Sequence, residues 1–313
     1  MAEYKGIHGT KLQNYTSDPA NPLTGEVWYN STSNSLKYFY VNSGSWSTGG
    51  DLNTARSALG GAGIQTAALA FGGTAPGLQA VTESYNGTSW TEVNDLTTAR
   101  EDLSGCGTQT AALAIAGEGP GGVAGDTENW NGTNWTEVNN LGTVRVKTAA
   151  AGTNTAALCF GGTPTPADTE LWNGSNWTEV NALNTGRTSN LGGIGISTAA
   201  LAIGGNPANA QTELWNGTNW TEVNDLNTVR RYMAGAGTTA SAIVFGGFPT
   251  TDNTELYNGT NWTVGTNLSS QRFSPGGAGT NNTSALAFGG ASPPTAATEE
   301  WNAGPTTATI GTS

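Results

Sequence analysis

The chain has 313 residues, with 23 acidic against 11 basic side chains and a net charge of −12. That balance excludes a sequence-independent nucleic-acid binder, which needs lysine and arginine to displace counterions from phosphate. Two cysteines cannot staple a disulfide scaffold, one histidine leaves no His-based metal site, and no apolar run is long enough for a membrane-spanning helix.

From the N-terminus, Met1-Ala2-Glu3-Tyr4-Lys5-Gly6 lacks the apolar core of a secretory signal, so synthesis in a cytoplasm is expected. Residues 1–44 read as an arm carrying a β-hairpin. Gly25-Glu26-Val27-Trp28-Tyr29-Asn30 forms one strand, Ser31 to Asn34 the turn, and Leu36-Lys37-Tyr38-Phe39-Tyr40 the other. Val27, Trp28, Tyr29, Leu36, Tyr38 and Tyr40 are its candidate docking side chains.

From Trp46 onward the sequence repeats. A tryptophan recurs at 46, 90, 135, 177, 220 and 262, at intervals of 42 to 45 residues. Ten positions after each stands an arginine: Arg56, Arg100, Arg145, Arg187, Arg230 and Arg272. An apolar run closed by a glycine pair follows, as in Ala67-Ala68-Leu69-Ala70-Phe71-Gly72-Gly73. Then comes a glutamate two before an aromatic, as in Glu83 and Tyr85, and an Asn-Gly turn leads into the next tryptophan. Each period offers four short strands: a Gly/Ala-rich one after the arginine, the apolar run, the Thr-Glu segment, and the strand starting at tryptophan. Asn-Gly joins the last two because both residues tolerate positive φ.

Four strands per period of this length predict an all-β, six-bladed propeller of four-stranded blades. In the second strand Leu69 and Phe71 point to one face and Ala68 and Ala70 to the other. Large side chains of one blade are therefore expected on the small face of the next. The sixth unit has no tryptophan strand of its own, and Trp46 precedes the first unit. The strand near 45–50 is thus predicted to pair with the one near 297–302, which removes the open edges. The expected domains are the arm at 1–44, the propeller at 45–304 and a C-terminal tail at 305–313.

The order of arginine, apolar strand, Gly-Gly, acidic-x-aromatic and tryptophan resembles the kelch repeat over residues 46–301, and the resemblance implies the propeller fold. The hairpin, with its Gly25-to-Asn30 entry and terminal Gly44-Ser45-Trp46, is similar to a motif common in tailed-phage fibre and other virion proteins. The Asn/Thr-rich repeat looks like repetitive structural proteins of marine phages. Both imply a virion component that leaves the host cytoplasm with the particle.

Candidate site residues lie where the repeat breaks. The loop between glycine pair and Thr-Glu varies, and Glu118, Asp126, Asp168, Phe248 and Asp252 fall there. The six arginines admit two readings: a ring that attracts an anion, or ties to loops and to repeated acids such as Glu92 or Asp95. A sialidase turn would need aspartate at Trp130, and galactose-oxidase-like copper chemistry would need histidine within the repeats. His8 lies outside them, while Cys106 and Cys159 occupy small-residue slots. No catalytic residue, metal or cofactor is expected, nor any nucleic acid or membrane insertion. The leading expectation is a non-enzymatic virion protein that docks to other virion proteins through its arm. Its loop face would be displayed to a host-surface glycan or receptor, and its oligomeric state is open. The alternative is a glycan-active enzyme or free lectin on the same scaffold.

Overall fold

The computed structural model describes residues 12–310 except 208, 250, 251 and 292. Among these residues all regular secondary structure is β-strand. The chain divides into two units, residues 1–44 with 303–313, and residues 45–302.

In the first unit, β1 (Gln13–Tyr15) runs parallel to β2 (Val27–Asn30). Strand β2 forms the predicted hairpin with the start of β3 (Ser35–Thr48), in register from Val27↔Tyr38 to Asn30↔Ser35. The turn uses Asn34 at a φ of 55°, a left-handed conformation that asparagine tolerates. The C-terminal residues depart from expectation. Gly304-Pro305 reads as a stop, yet the last strand, Thr298–Thr309, runs through it, and Ile310 N–H donates to the Leu36 carbonyl at 2.8 Å. The free flank of β3 gives that backbone a partner, so 303–310 belongs with the hairpin and the expected boundary at 304 moves to 302.

The second unit is built of antiparallel, mostly four-stranded sheets in a β-propeller-like arrangement. The first comprises β4 (Gly60–Ile64), β5 (Ala67–Phe71), β6 (Thr82–Tyr85) and β7 (Trp90–Val93) in that order. The next sheet holds β8 (Ser104–Thr108), β9 (Ala111–Gly119), β10 (Gly122–Trp130) and β11 (Trp135–Val138). It is followed by β12 (Ala149–Gly152), β13 (Ala157–Phe160), β14 (Thr169–Trp172) and β15 (Trp177–Val180). Then come β16 (Gly192–Ile196), β17 (Ala199–Gly205), β18 (Asn209–Trp215) and β19 (Trp220–Val223). A further sheet contains β20 (Ala234–Thr238), β21 (Ser241–Phe245), β22 (Thr254–Tyr257) and β23 (Trp262–Val264). In the last, β24 (Gly276–Asn281) and β25 (Ser284–Phe288) adjoin β26 (Thr298–Thr309), which lies beside β3. Gly49 N–H donates to the Thr298 carbonyl at 2.9 Å.

Period-two alternation explains how the sheets stack. Leu69 and Phe71 pack on Ala112 and Ala114 of the next sheet. Their own small face, Ala68 and Ala70, lies under Leu286 and Phe288 of the last. The same fit recurs for Leu158 and Phe160 on Ala200 and Ala202. Burying each such large side chain contributes about 1.5–3 kcal/mol. Polar fasteners reinforce the stack. The indoles of Trp90, Trp135, Trp177 and Trp220 donate to a threonine of the preceding sheet, Trp135 to Thr82 at 3.0 Å for example. Trp46, on β3, does the same to Thr254 at 2.9 Å. At the turns, Asn94 donates to Asn134 and Asn139 to Asn176, each at 2.7 Å, which gives the abundant asparagine a structural use.

The first strands of the sheets approach one another so closely that only small residues fit. A Cβ on Gly105 would lie 2.5 Å from Phe71 Cζ and 2.6 Å from the Gly61 carbonyl oxygen. Gly61, Gly105, Ala150, Gly193, Gly235 and Gly277 line both of two cavities, of about 100 and 110 Å3.

Candidate binding face

The six repeated arginines are 0–1% exposed, and each pairs with the glutamate of its own repeat. Arg56–Glu83 is 3.1 Å, Arg100–Glu128 2.6 Å, Arg145–Glu170 2.9 Å, Arg187–Glu213 2.7 Å and Arg230–Glu255 2.5 Å; Arg272 pairs likewise with Glu299. The ring of anion-attracting arginines is therefore not presented to a ligand. The tie is structural, although its acid is the Thr-Glu glutamate and not Glu92 or Asp95. Each carboxylate also accepts the backbone N–H three residues before its arginine, as Glu213 does from Asn184 at 2.8 Å. The guanidinium reaches carbonyls of the opposite loop, Arg187 that of Gln211 at 2.7 Å. Burial lowers the pKa of Arg56, Arg187, Arg230 and Arg272, and the partner carboxylate opposes it.

Two residues beyond each arginine the backbone turns left-handed without glycine: Ala58 (54°), Asp102 (52°), Lys147 (61°), Ser189 (69°), Tyr232 (56°) and Ser274 (50°), with Asn190 (47°) beside Ser189. Such φ values are sterically costly for L-residues. A cyclic series of backbone hydrogen bonds holds them. Ala58 N–H donates to Ser274, Asp102 to Ala58, Lys147 to Asp102, Asn190 to Lys147, Tyr232 to Asn190, and Ser274 to Tyr232, at 2.8–3.3 Å. Ala58, Asn190 and Ser274 also border the first cavity. Each residue after an arginine also bridges the residue after its glycine pair, or after Ala116-Gly117 in the second repeat: Ser57↔Thr74, Glu101↔Glu118, Val146↔Thr163, Thr188↔Asn206, Arg231↔Phe248 and Phe273↔Ala291.

The buried frame repeats, whereas these two circles of residues do not. One sector is acidic. Glu101 and Glu118 face each other across a bridge, beside Asp102. Asp102 is 3.6 Å from Lys147 Nζ and accepts Asn190 Nδ2 at 2.8 Å. Burial, then the Asp102 charge, raises the Glu101 pKa. Another sector is cationic and aromatic: the Arg231 guanidinium lies 4.8 Å from the Phe248 ring centroid and 5.9 Å from that of Tyr232. Tyr232 in turn lies 6.2 Å from Phe273.

Of the residues singled out by sequence, Glu118 and Phe248 are exposed on this face. Asp126 is half-buried and accepts Asn140 Nδ2 at 3.1 Å. Asp168 and Asp252 are half-buried, and their backbone carbonyls accept Arg145 and the Leu268 N–H. The three aspartates stand in different repeats, and among the described residues no cluster of His, Cys, Asp or Glu is arranged for a metal. The predicted loop Glu118–Asp126 is mostly strand, because Pro120-Gly121 turns β9 directly into β10. In the hairpin Trp28 is fully buried with its indole on Asp18 at 3.0 Å, which removes it from the docking set. Val27 is exposed, while Tyr29, Leu36 and Tyr38 are half-buried, and the Tyr40 side chain lies outside the described residues, as does His8. Sequence reasoning missed Glu101, Asp102, Lys147, Arg231, Tyr232 and Phe273. Their signal was present: the pair of residues after each arginine is different in every copy. No family model and no curated protein matches this sequence.

Proposed function

We propose that residues 45–302 form a closed six-bladed propeller acting as a non-enzymatic binding component of a tailed-phage virion. The six-membered hydrogen-bond cycle and the Trp46–Thr254 contact support the count and the closure. The observation that carries binding is the contrast between a repeated interior and a non-repeating face. A scaffold alone gives no reason to vary Ser57, Glu101, Val146, Thr188, Arg231 and Phe273 while keeping the preceding arginine in every copy. That face would meet a host-surface glycan or protein. The unit holding the hairpin would dock to other virion proteins, a placement that rests on its likeness to phage-fibre hairpins.

Mass spectrometry of gradient-purified particles from the source culture tests the virion placement. Stoichiometric recovery with capsid and tail proteins is expected. Abundance in the lysate with absence from particles would overturn it. Binding of the purified protein to host cells tests the face separately.

A further inference from the structure

We infer that the ledge formed by Arg231, Tyr232, Phe248 and Phe273 is a subsite for a carboxylate-bearing sugar, an inference that rests on the binding role proposed above. Arg231 forms no ion pair with any described residue, in a chain of net charge −12 where every repeat arginine has a carboxylate. Its guanidinium is instead held against aromatic rings, and Phe248 keeps 45% of its surface exposed. The backbone beneath is fixed by reciprocal hydrogen bonds, Arg231 N–H to Phe248 O at 3.1 Å and Phe248 N–H to Arg231 O at 2.8 Å. The other five bridges carry no such pair of side chains.

The chemistry narrows the ligand. A planar guanidinium takes a carboxylate through two parallel hydrogen bonds, and stacking on rings orients it for that without cancelling its charge. The electron-rich faces of aromatic rings accept the C–H edges of a pyranose. A sugar acid supplies both in one residue. A polyanion such as nucleic acid is disfavoured by the net charge and by Glu101, Asp102 and Glu118 on the same face. A peptide anchor would want a desolvated side-chain pocket, whereas the two cavities described above are small and their walls are rich in glycine and alanine.

The test uses the full chain against immobilised oligosaccharides of equal length ending in glucuronic acid or glucose, with an acidic peptide as the third probe. The glucuronate ligand is expected to bind at least 10-fold tighter than the glucose one. R231Q should bring the two to parity, and F248A should weaken both at least 10-fold. Both variants should keep the wild-type melting temperature, since neither side chain is in the core. Equal binding of the two sugars, glucuronate binding untouched by R231Q, binding of neither sugar, or preference for the peptide overturns the subsite. Host-cell binding that R231Q leaves intact removes the subsite alone. Absence from both particles and cells removes the wider reading.

Discussion

Replacing Glu213 by leucine should destabilise the protein far more than its one lost charge suggests. The substitution strands the Arg187 guanidinium, whose side chain is 0% exposed, and removes the acceptor of the Asn184 and Thr185 N–H groups. Breaking a buried pair by removing one partner costs about 3–5 kcal/mol, a large share of the roughly 5–15 kcal/mol that holds a domain folded. R187M leaves the complementary carboxylate buried and should cost a similar amount. The double variant R187M/E213L removes both charges. It still orphans the Gln211 carbonyl and the Asn184 and Thr185 N–H groups, so about 1 kcal/mol for each is still lost, less than in either single variant, which strands a charge as well. Urea unfolding followed by tryptophan fluorescence measures all four proteins, and a double-mutant cycle extracts the coupling. Single losses below about 1 kcal/mol, as for exposed pairs, would refute the reasoning. So would a double loss equal to the sum of the singles.

Other perturbations probe other parts of the structure. Ala58→Gly relieves a φ of 54° and should raise the melting temperature, whereas Ala58→Pro cannot adopt that φ and loses the N–H donated to Ser274, costing about 3 kcal/mol. Gly105→Ala forces a Cβ onto Phe71 and the Gly61 carbonyl and should cost about 1–3 kcal/mol in equilibrium unfolding. Burial, with the Glu300 hydrogen bond and charge, pushes the Tyr85 pKa up to about 12. A raised folded pKa means its contribution is whole below about pH 10 and is lost between pH 10 and 12. Y85F should therefore flatten the fall in stability across that window. Burial likewise pushes the Cys106 thiol up to about 12, and Cys159 is fully buried. Neither should react with a thiol reagent until the protein unfolds; rapid labelling of the native protein would contradict this.

The frame was legible because it repeats. A single unit is ambiguous, but six copies of Trp, Arg and Glu-x-aromatic, five of them with Gly-Gly and one with Ala116-Gly117, give the strand order and the alternation of Leu69/Phe71 against Ala68/Ala70. The arginine's partner was harder. Glu83 and Glu92 are both repeated acids, and sequence distance does not say which carboxylate folds over the guanidinium. The pairing follows from the register Ala70↔Glu83, which sets Glu83 beside the Ala70 carbonyl that Arg56 also reaches, while Glu92, one strand further out on β7, is exposed. The strand near 297–302 was foreseen, but its run on to Thr309 was not, because a local stop signal, Gly304-Pro305, is overridden by a partner almost the whole chain away. The face was half seen. Attention to loop length found Phe248 and Glu118, while Arg231 and Tyr232 hid beside Arg230 in a segment that looks like frame.

The contact between Gly49 and Thr298 has a consequence for how the polypeptide is made. Roughly 250 residues separate the two partners. At about 5–20 residues per second, the early strand waits roughly 12–50 s before its mate leaves the ribosome. Until then Trp46 and its neighbours offer an unpaired strand to any other nascent copy on the same message. A neighbouring chain's late strand would fit that edge as well as the molecule's own, so crowded synthesis favours strand-exchanged pairs, and slower initiation favours self-completed monomers.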